Sequence, residues 1–114
     1  MADARTAAKR QAWREGIDFD APLAGQLPEP HMRPWQVAFL MGVAESSVYD
    51  SCKRFDAAMR MGDPAAAARE VPCVLFGTSH RIPTQAFLDW WYSAGQSTLR
   101  LLSQPAEQRE AGAA

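Results

Sequence analysis

Val37-Ala38-Phe39-Leu40-Met41-Gly42-Val43-Ala44-Glu45-Ser46-Ser47-Val48-Tyr49 is the stretch whose reading decides the fold. From Arg33 to Met41, Pro34 suits a first helical turn, and Val37, Leu40 and Met41 recur at the spacing that lines one helical face. A short buried helix is predicted there. Gly42 ends it, because a residue without Cβ takes the left-handed backbone a tight turn requires, and Val43 follows as an apolar plug. From Glu45 to Met61, Val48, Cys52, Phe55 and Met59 fall at steps of four, three and four. That pattern predicts an amphipathic helix of about five turns. Its outward face displays Glu45, Ser46, Tyr49, Asp50, Lys53 and Arg54.

Working outward from this pair, Gly62 ends the second helix, Asp63 can cap the next and Pro64 fits its first position, so Ala65 to Glu70 is expected to form a short helical turn. Val71 to Phe76, then Gly77-Thr78-Ser79-His80, then Arg81-Ile82 reads as a small β-hairpin with a polar turn. Pro83 is expected to break the strand. Helical spacing resumes from Thr84 to Tyr92 with Phe87, Trp90 and Trp91. On the N-terminal side, Ala2 to Glu15 holds good helix formers with Asp3 available as a cap. Asp18 to Pro30 holds Pro22, Gly25, Pro28 and Pro30, a connector that cannot continue a helix.

The expected organisation is therefore a tail and Pro-rich connector over 1–30, one folded domain over 31–94 and a second tail over 95–114. The ends are poor in branched aliphatics, so the core is assigned to about the middle 60 residues. The fold class predicted is mainly α, with a two-stranded hairpin and flexible or helical tails. No apolar run approaches the ~20 residues needed to cross a bilayer. Two cysteines, Cys52 and Cys73, and no leader-like segment argue against a secreted disulfide scaffold, and a cytoplasmic protein without membrane partners is expected.

Net charge is -1 over 114 residues, which is not the basic excess usual for a protein living on phosphate backbones. Arg33 to Arg81 carries six Arg or Lys against five Asp or Glu, so the middle is slightly positive. Any nucleic-acid binding must come from placement of charge. Two helices joined by a glycine turn, the second with an exposed polar face, are what a protein needs to lay a helix in the DNA major groove, and a hairpin can reach a neighbouring phosphate or the minor groove.

Residues 37–49 resemble the first helix, glycine-valine turn and recognition-helix start of the excisionase and MerR-like family of winged helix-turn-helix DNA-binding proteins. Val71-Pro72-Cys73-Val74-Leu75-Phe76-Gly77 with Arg81-Ile82-Pro83 resembles its wing, and Ala86-Phe87-Leu88-Asp89-Trp90-Trp91 its closing helix. The resemblance implies double-stranded DNA as partner; no cofactor is expected, and the expected location is nucleoid-associated. It assigns base reading to Glu45, Ser46, Tyr49, Asp50 and Lys53, with Arg54 on the same face, and the wing contact to Ser79, His80 and Arg81. Lys53 suits guanine acceptors or a phosphate, Ser46 a base edge or a phosphate, and the Tyr49 ring a sugar or thymine methyl.

The chain departs from that family in several places. Asp50 stands where a basic residue is usual, and Thr78 and Ser79 stand where arginines often sit, which predicts weaker backbone affinity. The connection from Tyr49 to Pro72 is also longer than in compact members. Trp35 and Phe39 form an apolar pair one turn apart on a face usually polar, and they require a cover. The candidates are a tail of this chain, a second copy bound beside it on DNA, or the protein's own core.

Two roles fit the resemblance: an architectural factor that bends attachment-site DNA and controls an integrase, or a small transcription regulator. No heptad run follows Trp91, only Thr98-Leu99-Arg100-Leu101-Leu102, which favours the first. A protein-interaction adaptor that has lost DNA affinity is the competing class, supported by the charge balance and Asp50. Cys52, Cys73, His31 and His80 lack a close ligand pair, so a metal site is not expected. No nucleophile motif is present, so an enzyme is not expected. Trp90 and Trp91 on a helix beside Phe87 read as core before they read as a stacking platform.

Overall fold

The computed structural model describes residues 4–95. The elements run α1 (Ala4–Glu15), β1 (His31–Met32), α2 (Pro34–Met41), α3 (Glu45–Arg60), α4 (Pro64–Ala67), β2 (Val74–Phe76), β3 (Ser79–Pro83) and α5 (Thr84–Trp90), which continues into a π-helical turn over Trp91–Gly95. The protein is mainly helical with one small antiparallel sheet, strand order β1-β3-β2. Asp3, the expected cap of α1, and the Thr98 to Leu102 run lie outside the described residues.

The turn that joins α2 to α3 forms as its residues dictate. Gly42 sits at φ 70°, and Val43 N–H donates back to Ala38 O at 3.0 Å. This six-to-one bond satisfies a carbonyl the helix end would orphan, while half-buried Val43 packs on the core. The same device recurs at Gly62, φ 67°, where Asp63 N–H donates to Ala58 O at 2.9 Å. Asp63 then caps α4 through its side chain, which accepts from Ala66 N–H at 3.1 Å. The helical piece is shorter than expected, ending at Ala67.

Val37, Leu40, Val48, Cys52, Ile82, Phe87 and Leu88 are buried in one cluster, with Phe55, Trp90 and Trp91 packed against it half-buried. Leu40 and Val48 thus share one core with Phe55, Trp90 and Trp91. The core reaches further toward the N-terminus than the middle 60 residues. Leu23, Leu27 and Met32 are buried in the same cluster, and Trp13 and Ile17 lean on it. The connector that carries Leu23 and Leu27 is stitched by Gln26, whose Oε1 accepts from Asp18 N–H at 2.8 Å and whose Nε2 donates to Pro22 O at 2.8 Å. Leu23 N–H donates to the Tyr92 hydroxyl at 3.1 Å, tying the connector to the end of the domain.

The sheet has a strand the sequence reading lacked. His31 and Met32 pair with Pro83 and Ile82. Pro83 therefore closes β3 instead of breaking it: it is the last residue of the strand, where a missing N–H costs the ladder little. Thr84 N–H continues the pairing by donating to Pro30 O at 2.9 Å. The hairpin turn is also tighter than expected, since Phe76 pairs with Ser79 and only Gly77, at φ 63°, and Thr78 form the loop.

Ser51 locks the hairpin's approach to α3. Its hydroxyl oxygen accepts from the buried Val71 N–H at 2.9 Å and donates to Glu70 Oε2 at 2.7 Å. Trp90 Nε1 donates to Ala68 O at 3.0 Å, so α5 holds the α4 region from the other side.

Candidate functional site

α3 turns Val48, Ser51 and Cys52 inward, and this phase fixes what faces out. Glu45, Ser46, Asp50 and Lys53 are exposed, as is Tyr49 at 37%. The hairpin tip meets α3 at Tyr49: its ring stands edge-on to the His80 ring, centroids 5.0 Å apart and planes at 88°. Residues 31 positions apart, Tyr49 and His80, are thus brought to one place. Glu45, Tyr49, Thr78, Ser79, His80 and Arg81 line a common hollow of 170 Å³, closed on its far side by Arg10, Arg33, Pro34 and Trp35. His80 Nδ1 is shielded from solvent with no hydrogen-bond partner.

The predicted residues are not all equivalent. Arg54 lies round the helix toward α4, where its Nε donates to Glu70 Oε1 at 2.9 Å. Glu70 holds it firmly protonated, and the guanidinium that sequence assigned to the outward face is engaged within the chain. Arg60 is likewise paired with Asp56, at 3.0 Å. Among the described residues of α3, Lys53 is the cation with no carboxylate within ion-pair distance. The N-cap of α3, Ala44, offers no side-chain cap, so the Glu45 and Ser46 N–H groups are open to a ligand oxygen while Ser47 N–H donates to Ala44 O at 3.0 Å.

Trp35 and Phe39 are covered by α1 and the loop after it. Trp13 packs edge-on to Trp35 at 5.3 Å and to Phe39 at 6.1 Å, while Phe19 tilts against Phe39 at 5.5 Å. The guanidinium carbons of Arg10 and Arg14 lie 5.0 and 5.4 Å from the Trp35 ring centroid. Of the covers the sequence left open, the N-terminal tail is the one the fold uses.

That packing creates a feature sequence reasoning missed. A second, larger hollow of 520 Å³ opens between α1 and the start of α2, with Lys9, Arg10, Arg33 and Arg81 on its walls, and it shares Arg10, Arg33, Trp35 and Arg81 with the first. The signal was present but averaged away. Residues 1–30 sum to -1, yet Arg5, Lys9, Arg10 and Arg14 all lie in α1 while Asp18, Asp20 and Glu29 lie in the connector.

The two cysteines, set apart by twenty-one positions in sequence, come together in the core. Both are free and buried. The Cys52 thiol is pushed up in pKa by its hydrogen bond to Cys73 and by burial, which makes it an inert packing group. Among the described residues no three His, Cys, Asp or Glu side chains gather as a metal would need, and no helix is long and apolar enough to cross a membrane. Comparison with family models, curated proteins and solved structures returned no match to this chain, so its functional reading rests on the residues themselves.

Proposed function

We propose that the protein binds double-stranded DNA as a winged helix-turn-helix, α3 entering the major groove and the β2–β3 hairpin serving as the wing. One observation carries this reading: the exposed start of α3 and the hairpin tip meet at the Tyr49–His80 contact and line one hollow. A helix and a wing that present polar groups on the same side can engage a groove and its flanking backbone together. Tyr49, Ser46 and Glu45 are the base-facing candidates, while Lys53 and Arg81 act on phosphates. Asp50 and Arg54 contribute less, the first by its charge and the second because Glu70 already holds it.

Within that class the role is architectural. Phe76, beside the hairpin tip, is 61% exposed, and an apolar side chain at a wing tip suits a wedge that unstacks a base step and bends the duplex. Bending of attachment-site DNA beside an integrase, as in excisionase-like factors, is the function this predicts; transcription regulation is the alternative. Cooperative self-association through Trp35 and Phe39 is not proposed, because α1 occupies that face.

Fluorescence anisotropy on duplex DNA at low salt tests the reading. Tyr49→Ala should lose about 1–3 kcal/mol on a preferred site and little on random duplex, whereas Lys53→Ala should weaken all duplexes alike and lower the salt slope by about one. End-to-end energy transfer on a labelled duplex should show a bend that Phe76→Ala relaxes. Absence of duplex binding by the parent at low salt would remove the proposal and leave the adaptor class.

A further inference from the structure

We infer that the furrow between α1 and the start of α2 is a second DNA contact, a phosphate-backbone track that supplies most of the electrostatic attraction which α3 lacks. This inference rests on the DNA-binding reading and adds to it a surface outside the helix and wing.

The furrow is continuous with the proposed groove-reading end. The hollow at Tyr49 and the hairpin tip and the larger hollow beside α1 share four residues, Arg10, Arg33, Trp35 and Arg81, so the two adjoin. The cations are distributed along it: Arg81 from β3 and Arg33 from the head of α2 at the junction, then Arg10 and Lys9 on α1. Arg81 donates one guanidinium N–H to His80 O at 3.1 Å and Arg10 lies over the Trp35 ring, but neither contact neutralises the charge. Among the described residues no carboxylate lies within 4.0 Å of Lys9, Arg10, Arg33 or Arg81, whereas the α3 arginines Arg54 and Arg60 are both paired. Glu29 is the carboxylate on the larger hollow's wall, against four cations, and its Oε2 is shielded.

The furrow is also built to keep its shape. Arg10 lies over the Trp35 ring, and Trp13 fixes that ring edge-on from α1. Gln36 Oε1 accepts from Arg33 N–H at 2.8 Å, which fixes the backbone from which the Arg33 side chain departs. Four like charges held along one channel repel each other, and an occupant carrying regularly spaced negative charge relieves that repulsion. A nucleic-acid backbone has such spacing, and its source here is the duplex already on α3. An acidic peptide segment is the other polyanion of this size, and the experiment separates the two.

The double variant Lys9→Gln, Arg33→Gln is titrated with random-sequence duplex over a salt series, beside the parent and Arg69→Gln, an exposed arginine outside the furrow. Melting by circular dichroism first confirms that each variant is folded. The double variant should lower the slope of log affinity against log salt by about two and weaken binding about tenfold or more near 0.1 M salt. Arg69→Gln should move the slope by much less, and Lys9→Arg, Arg33→Lys should restore it. A parent-like slope in the double variant overturns the inference while the DNA-binding reading stands. Loss of binding to a polyglutamate peptide with the duplex slope unchanged also overturns it, making the furrow a protein-docking site. If the parent binds no duplex at low salt, both fall together.

Discussion

α1 and α3 carry similar numbers of positive charges and use them in opposite ways. α3 holds Lys53, Arg54 and Arg60 among Glu45, Asp50 and Asp56, with two of its three cations in ion pairs. α1 holds Arg5, Lys9, Arg10 and Arg14 with Glu15 alone against them. Burial divides the two in the reverse sense: α3 turns Val48, Ser51 and Cys52 into the interior, while α1 buries no residue and is held by Trp13 on Trp35 and Phe39. The helix that the core positions most firmly carries little free charge. The helix without ion pairs is attached through Trp13, Arg10 and Arg14 to the Trp35 and Phe39 rings. Positioning and attraction are therefore separate properties in this chain, and four substitutions test how separate they are.

Val48→Asp strikes the side that positions. Val48 is 1% exposed, and an unpaired carboxylate there costs several kcal/mol against a total that for a domain of this size is roughly 5–15 kcal/mol. The expected result is loss of the cooperative melting transition by circular dichroism; a parent-like melt would mean that α3 does not sit in the phase described. Ser51→Ala leaves the buried Val71 N–H without its acceptor and removes one of the two side-chain bonds that hold Glu70 to α3, Arg54 keeping the other. Urea unfolding should register a loss of about 1–3 kcal/mol.

Trp13→Ala acts on the side that attracts. Each edge-on aromatic contact contributes about 0.5–1.5 kcal/mol, but with no residue of α1 buried the loss should remain local. Hydrogen exchange should quicken across Ala4–Glu15 while α3 stays protected. Equal deprotection of both helices would show that α1 is integral to the core. The smallest effect is expected from Arg60→Ala, which removes an exposed i,i+4 pair with Asp56. It should cost about 0.3–0.5 kcal/mol at low salt and less as salt rises.

Much of the fold was legible because it depends on local rules. Gly42 and Gly62 mark helix ends in any sequence where a left-handed residue must follow an apolar stripe, and the Val48, Cys52, Phe55 spacing fixes the inward face of α3 without reference to its neighbours. The Gly77 turn and the alternating strand around it belong to the same class. β1 was not legible, since two residues, His31 and Met32, carry no period and become a strand only because β3 offers an unpaired edge. Pro83 was misjudged for a related reason: whether a proline breaks a strand depends on which of its neighbours would have used the missing N–H.

At the candidate site, sequence identified the outward face of α3 and the hairpin residues Ser79, His80 and Arg81. It did not identify their company. That Arg54 faces Glu70, that Tyr49 faces His80, and that Lys9 and Arg10 line a channel with Arg33 and Arg81 are contacts across 16, 31 and more than 20 positions, which no window of sequence contains.

By itself the sequence determined the order of helices and hairpin, the turns between them and the polarity of each face, because backbone sterics and apolar periodicity act within a few residues. Only the tertiary structure decided which charges are free. Whether a cation is paired or available depends on what the chain brings within about 4 Å of it, a distance set by packing across the whole domain and invisible to any count of residues.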